Sequence, residues 1–552
     1  RAFRAGQQLR RCRLSMALGN NSEIVLSTEE IEIVEREIDE AFAESELIKL
    51  GYSQAVWTLL SVVEDHHFKI RVYNPLEENQ QDIYIDGLLN ALTYPLQICH
   101  NNFPDHKAKI NRTLIDSDYE AANKWIDKAE DYTHFCSIFP LFHNGEIELN
   151  ISGKNITPTD WTEYDLSYEV YDRFIKKGHL EEAEPSDPNS VAMSVRNQTS
   201  VKNGSFKLNF SPRLVKELKD NLHKTHQLRF SLPDSWEFQY FSIQEFKEVF
   251  TTIQSMSYGW FIARQFACAE GIHALGFKDA LWTPAKTELI ARLRRYTGIA
   301  QEKIEKIVEY LTFGEAGVRN PDIAIQPIID LRNGELAIST FVLLNVNCER
   351  NLCVLLNQIK EERKIYSGLV KDKEDKLRDE IIDKVKSAGY EIRYGELDDT
   401  DVDLAIIDRE LKKCIAIELK WFIEPAEIRE VIQRSKEVKK GVEQATKITG
   451  LWCKSDKRLI NDILAVDESF DFLAVVAPVT SIGNPSSQDI NIPVIKTWHL
   501  IDEILNIGDL GKVMEWLKNR DYLPKKDVDF KIEQVSIKSG DWSSIWYGIT
   551  HA

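Results

Sequence analysis

Between Asp401 and Phe422 the chain reads DVDLAIIDRELKKCIAIELKWF. Two apolar, β-forming runs flank the polar stretch Asp408 to Lys413, the pattern of an antiparallel hairpin centred between Glu410 and Leu411. Directly opposed residues of such a ladder point to one face, so this centre sets Asp403 against Glu418, Ala405 against Ala416 and Ile407 against Cys414. Lys420 follows Glu418 by two residues and shares its face. The strand CIAIELKWF is apolar on both phases apart from Glu418 and Lys420, as a strand covered on both sides would be. Buried charges are costly unless they are paired or bind a metal. Glu418 and Lys420 could satisfy each other as a structural ion pair, but Asp403 then leaves an excess negative charge that calls for a cation.

Two carboxylates with the main-chain carbonyl of Leu419 form a hard-oxygen set suited to Mg²⁺ or Mn²⁺, ions that keep several waters for a substrate to replace. Such an ion acidifies a bound water and neutralises charge on a phosphorane-like transition state. Lys420 would orient that water or stabilise the attacking hydroxide. The chemistry expected is phosphodiester hydrolysis.

The elements that must position these groups are legible around them. The charged run KEDKLRDEIIDKVKSAG places Leu377, Ile381, Val385 and Ala388 on one helical stripe, with Gly389 as its stop. Three strands follow, YEIRYGEL, DVDLAIID and CIAIELKWF, then a helix from about Pro425 to Thr449. FDFLAVVAPV and IPVIKTWHL read as buried strands of parallel type, and Leu510 to Asn519 as a further helix.

With Asp403 in VDLAIID and the tripeptide Glu418-Leu419-Lys420 fifteen residues later across a hairpin, this segment resembles the PD-(D/E)xK nuclease superfamily, whose fold is restriction-endonuclease-like. The resemblance spans about residues 370 to 500, and Val402 stands where the Pro that names the motif would be. It implies that Asp403 and Glu418 hold the metal and that Lys420 assists the water. Many members add an acid on the first core helix and a Gln on the helix after the Lys; Glu380 would fill the first role, and Gln444, with Gln433 as a rival, the second. It further implies DNA as substrate, a setting in restriction, defence against foreign DNA or repair, and a homodimer where both strands are cut. The alternative is a catalytically inactive nuclease-fold scaffold in a nucleic-acid-processing complex. Pro321-Asp322 also spells the start of the motif but lacks a Glu-x-Lys partner in a nearby strand.

Charge is distributed to match. The 552 residues carry 69 Lys and Arg against 88 Asp and Glu, a net charge of -19, which excludes a protein that coats nucleic acid by bulk attraction. The clearest basic concentration nevertheless follows the motif: Arg434, Lys436, Lys439, Lys440 and Lys447, the expected nucleic-acid contacts, then Lys454, Lys457 and Arg458, against Glu437, Glu443 and Asp456.

At about 100 to 200 residues per domain the length implies three or four domains. Residues 1–15 are Arg-rich and precede Met16, and are expected to be a non-native or disordered leader. Residues 16–235 read as an N-terminal α+β region, with a polar linker at about 182–205, and 236–350 as a helical region with a β-hairpin. Within the latter, two helices and a hairpin at 284–345 follow winged-helix order, although AQEKIEKIVEYL has as many acids as bases and suits packing. Residues 351–525 form the nuclease-like domain and 526–552 a tail. The expected fold class is therefore multidomain, a mainly α and α+β N-terminal region joined to a C-terminal α/β domain. Eight scattered cysteines without zinc spacing and no apolar run of membrane length fit a soluble cytoplasmic protein. GDLGK at 508–512 lacks the spacing of a phosphate-binding loop, so an ATPase, helicase or regulatory activity would come from a separate partner.

Overall fold

The computed structural model describes residues 28–73, 78–102, 109–158, 163–174, 188–226, 232–269 and 278–552. The leader expected at 1–15 lies outside them. No helix among the described residues is long and apolar enough to cross a membrane.

The first core is helical and runs from Phe42 to Tyr366. Its centre includes the helix Tyr52–Phe68, buried at every position except Gln54 and His66, because its sequence is apolar or small almost all round. The long helix Ile243–Ala269 meets its C-terminal end, where Phe261 stacks on His67 with ring centroids 4.8 Å apart, and its Gln254 reaches the carbonyl of Leu343 at 2.8 Å.

Twelve strands complete the described chain. β1 (Leu149–Ser152) and β2 (Asn155–Pro158) form one hairpin, β3 (Thr199–Lys202) and β4 (Ser205–Leu208) another, and β5 (Ile328–Asp330) and β6 (Leu336–Ile338) a third. The linker expected at 182–205 is ordered where it is described. Val191 and Val195, one turn apart, are buried on the helix Pro188–Gln198, which leads directly into β3. The helices Lys286–Thr297 and Gln301–Leu311 precede β5 and β6, and Trp282 bridges back to Ile338, so the segment keeps the expected helix, helix, hairpin order. Gln301–Leu311 buries Ile304, Ile307 and Val308, while its Lys303 pairs with Glu245 at 2.6 Å and its Lys306 with Glu309 at 2.8 Å. Its cations are engaged within the fold, in keeping with a packing role.

The C-terminal sheet contains β7 (Glu391–Glu396), β8 (Asp401–Asp408), β9 (Lys413–Lys420) and β10 (Asp471–Pro478), in the order β10-β9-β8-β7. β9 and β10 are parallel and are joined by the helix Ile428–Cys453; the other neighbours are antiparallel. Leu404 and Ile406 of β8 and Ile415 and Ile417 of β9 share a core with Ile381, Val385, Leu500, Ile504 and Val513. Ala405, Ile407, Cys414 and Ala416 face the opposite side, against Ile448, Leu459 and Ile460. Both faces are covered, which explains the apolar character of both strand phases.

Three sequence expectations change. IPVIKTWHL is not a full strand: only Val494 bridges to Val476, and the helix Thr497–Ile507 starts within it, since Leu500, Ile501 and Ile504 recur at helical spacing. Residues 526–552 are not a tail. β11 (Phe530–Ser539) and β12 (Trp542–His551) form a hairpin turning at Gly540 (φ 57°), and β12 runs parallel to β2 through Ser543 and Ser544. Ile537 and Trp542 share a core with Ile31, Ile38, Phe135 and Ile156, so the end of the chain closes a sheet begun almost 400 residues earlier (Ser543 to Asn155, 388 apart). Finally, the boundaries at 235 and 350 do not separate bodies in space. The 28-residue helix Lys360–Ser387 places Tyr366 in the first core and Leu377, Ile381 and Val385 in the C-terminal one. The helix Glu163–Phe174 inserts Tyr168 and Tyr171 into that C-terminal core as well, with the Tyr171 hydroxyl 2.9 Å from His499 Nδ1.

Candidate active site at the open end of the β8–β9 hairpin

The ladder keeps the expected register, Ala405 opposite Ala416 and Ile407 opposite Cys414, with regular pairing up to Leu404 and Ile417. One step further Asp403 breaks from the ladder with its side chain: Oδ2 accepts the Leu419 amide at 2.8 Å. Leu419, expected to offer its carbonyl to a metal, thus enters the site through its N–H, while its side chain packs in the core on the other face.

Glu418 is 1% exposed. Its Oε1 accepts from Lys420 Nζ at 2.6 Å, and among the described residues its Oε2 has no hydrogen-bond partner. Lys420 donates a second bond, 3.1 Å, to Oε1 of Gln444 on the helix Ile428–Cys453. That helix comes close because residue 441 is glycine: a Cβ there would stand 3.0 Å from Val476 Cγ1, 3.3 Å from Lys420 Cε and 3.5 Å from Glu418 Cγ. Of the two glutamines, the structure brings Gln444 to the site. Gln433 lies eleven residues earlier on the same helix and lines a cavity.

The electrostatics follow from burial. Desolvation raises Glu418 most, and the Asp403 charge adds to it, against the pull of Lys420; its carboxyl is pushed up to about 7. Asp403 is also raised mainly by burial, opposed by the Leu419 amide and reinforced by the charge of Asp401. Burial disfavours the Lys420 ammonium, but the charge and hydrogen bond of Glu418, with Asp403 and Glu374 behind them, hold it above the ordinary lysine range.

Glu374 and Glu380 are both exposed on the helix Lys360–Ser387, and the Glu380 charge acts on Lys373. The acid of that helix whose field reaches Asp403 and Lys420 is Glu374, six residues earlier. Asp401 joins from β8, two positions before Asp403, and its charge acts on both Asp403 and Glu418. Neither Asp401 nor Glu374 was expected from sequence. The period of two would have indicated Asp401, and Glu374 extends the Leu377, Ile381, Val385 stripe by one turn.

The basic residues divide. Arg434 turns toward the protein, its guanidinium 5.5 Å from the Phe422 ring centroid and its Nε buried without a partner. Lys436 reaches Asn144 Oδ1 at 3.3 Å, and Lys440 pairs with Glu437 at 2.9 Å. Lys447 is exposed, and Lys439 is half-buried. Asn144, Arg429, Gln433, Lys436 and Lys440 border a cavity of about 490 Å³. Asp322, by contrast, accepts from Thr93 and from the Ala324 amide at 3.0 and 2.8 Å, which makes it a turn-stabilising residue.

Among the described residues no three His, Cys, Asp or Glu side chains stand together at metal-ligand spacing. What the site offers a cation is Asp403 with Glu418, whose unpartnered buried Oε2 is an acceptor lacking its donor. An all-oxygen pair fits a hard divalent ion that keeps waters for its remaining positions. Compared with protein-family models, with curated proteins and with solved structures, the chain matches none.

Proposed function

We propose that the protein is a Mg²⁺-dependent nuclease of the PD-(D/E)xK type that hydrolyses phosphodiester bonds, with DNA as its substrate. The observation that carries this reading is the unpartnered, fully buried Glu418 Oε2 beside Asp403 on the face that also presents Lys420. The helix, three antiparallel strands, crossover helix and parallel fourth strand support it, being the order that the resemblance implies for a restriction-endonuclease-like domain.

Asp403 and Glu418 would hold the ion, which supplies an acidified water and charge neutralisation at the phosphate. Lys420, hydrogen-bonded to Glu418 and Gln444, would donate a hydrogen bond to the attacking oxygen. That oxygen bonds to phosphorus while the bond to the leaving sugar oxygen breaks, and the sugar oxygen takes up a proton. Gln444 keeps the ammonium from collapsing wholly onto Glu418, and Gly441 gives the helix the room to deliver it.

A cleavage assay on supercoiled plasmid and on single-stranded circular DNA, with and without Mg²⁺, tests the reading. Wild type should nick only with the metal, and Glu418→Ala and Lys420→Ala should each lose at least about 100-fold, the range for removing a group that stabilises transition-state charge. Activity indifferent to both substitutions would overturn the assignment. Binding without cleavage of DNA or RNA, single or double stranded, would favour the inactive scaffold instead.

A further inference from the structure

The helix Ile428–Cys453 carries a pattern that the catalytic residues do not use. An α-helix turns about 100° per residue, so Arg429, Lys436, Lys440 and Lys447 fall within about 20° of a single line along its surface. All four are exposed. Gln433 and Gln444 lie about 40° and 60° from Arg429 on the same flank. The acids nearest the line are Glu437, already paired with Lys440, and the exposed Glu443. Arg434 and Lys439 fall about 140° and 80° away, which removes them from it. At 1.5 Å per residue the line is about 27 Å long; Gln444, hydrogen-bonded to Lys420, sits about 4.5 Å along the axis from its Lys447 end, and Gly441, against Lys420 and Glu418, lies about 120° from the line.

We infer that this face is a track for the backbone phosphates of one polynucleotide strand laid out along the helix, and that near its Lys447 end the strand turns over Gln444 to bring its scissile bond round to Lys420. The inference rests on the nuclease reading and adds a substrate class to it. A row of cations in a chain of net charge -19 is a local attraction for phosphates against a repelling background. Its straightness selects the form of the ligand. A strand within a duplex completes a turn in about 10 base pairs and winds away from a straight rod, whereas a single strand can follow the rod throughout. At roughly 3.4 Å per nucleotide for a stacked strand, about 27 Å faces some eight nucleotides. The site lies toward one end, so most of them are on one side of the cut. The cavity of about 490 Å³ bordered by Asn144, Arg429, Gln433, Lys436, Glu437 and Lys440 runs along the part of the track away from Lys447.

The test is anisotropy binding of single-stranded oligodeoxynucleotides of 4, 8 and 16 residues and a 16-base-pair duplex, lengths of about half, one and two tracks, to the full chain in EDTA across a salt series. Affinity should rise steeply from the shortest oligomer to the middle one and little beyond it, and the single strand should outcompete the duplex. Substituting Arg429, Lys436, Lys440 and Lys447 by Ala should flatten the salt dependence by roughly 0.7 per cation removed. Arg294→Ala with Arg295→Ala, on an exposed face of the helical region, should leave it unchanged. The inference is overturned if the four substitutions leave the salt slope intact, if the Arg294 and Arg295 pair carries the slope instead, if the duplex is preferred, or if millimolar inorganic phosphate competes equally at every length. Nicking by the track variants at the wild-type rate on single-stranded DNA, with loss in Glu418→Gln, would sink the track and leave the nuclease standing. Track-dependent binding without any cleavage would do the reverse.

Discussion

Glu418 is buried with one oxygen on Lys420 and the other on nothing, so in the metal-free protein its charge is costly. Its pKa and that of Asp403 are raised on folding, and a raised carboxyl favours the folded state while it is protonated. This stability is fully present below about pH 4, the range of unfolded carboxyls, and is lost as pH climbs through the folded values, about 6 for Asp403 and about 7 for Glu418. Melting temperature in EDTA should therefore fall between pH 5 and pH 8, by an amount corresponding to roughly 1–2 kcal/mol. Added Mg²⁺ should reverse the fall, and Glu418→Gln should flatten it; a wild-type profile indifferent to both pH and metal would count against the electrostatic picture. At the neighbouring glycine, Gly441→Ala places a methyl against Val476 and Lys420 Cε. Overpacking of this kind costs about 1–3 kcal/mol, and nicking should suffer more than stability does, because besides Val476 Cγ1 at 3.0 Å the stem of Lys420 at 3.3 Å must give way. Parallel measurement of melting and nicking rate separates the two effects.

At the scale of elements, the helix Lys360–Ser387 decides which acid belongs to the site. Glu380 fitted the expected role on the first core helix, but its charge acts on Lys373, whereas the field of Glu374 reaches Asp403 and Lys420. Since the Glu374 charge raises Asp403, Glu374→Ala should lower the Asp403 pKa and shift the acid limb of the pH–rate profile downward. Glu380→Ala should leave that limb in place, and the same shift in both variants would refute the distinction. The β8–β9 register was legible because strand pairing has a period of two and the polar turn between the strands is short, so Asp403, Glu418 and Lys420 could be placed on one face without any tertiary information. The choice between Gln444 and Gln433 was not legible. Eleven residues is close to three full helical turns, so both occupy nearly the same flank and only the docking position of the helix along the sheet separates them.

Across the whole molecule, residues 530–551 are structural. β11 and β12 complete the sheet with β2, and Ile537 and Trp542 bury against the helices Thr28–Ala43 and Asp116–His143. Ending the chain at residue 526 should expose that core, seen as a lower melting temperature and rapid proteolysis near β1 and β2. Unchanged melting would restore the reading of these residues as a tail. The same helix Asp116–His143 leads to Asn144 at its C-terminus, which meets Lys436, so the sheet closed by the chain end adjoins the phosphate track.

What the sequence determined by itself was local chemistry and local geometry: the acid, acid and lysine on one hairpin face, the helices on either side, and the basic run that follows. These depend on periods of two and 3.6 residues, which short-range backbone geometry imposes wherever the segment ends up. The tertiary structure alone decided which distant groups act on that face, among them Glu374 and Gln444, and that β12 pairs with a strand near residue 155. Those outcomes depend on how separate elements dock, through side-chain packing and burial between segments far apart in sequence, and no local period records them.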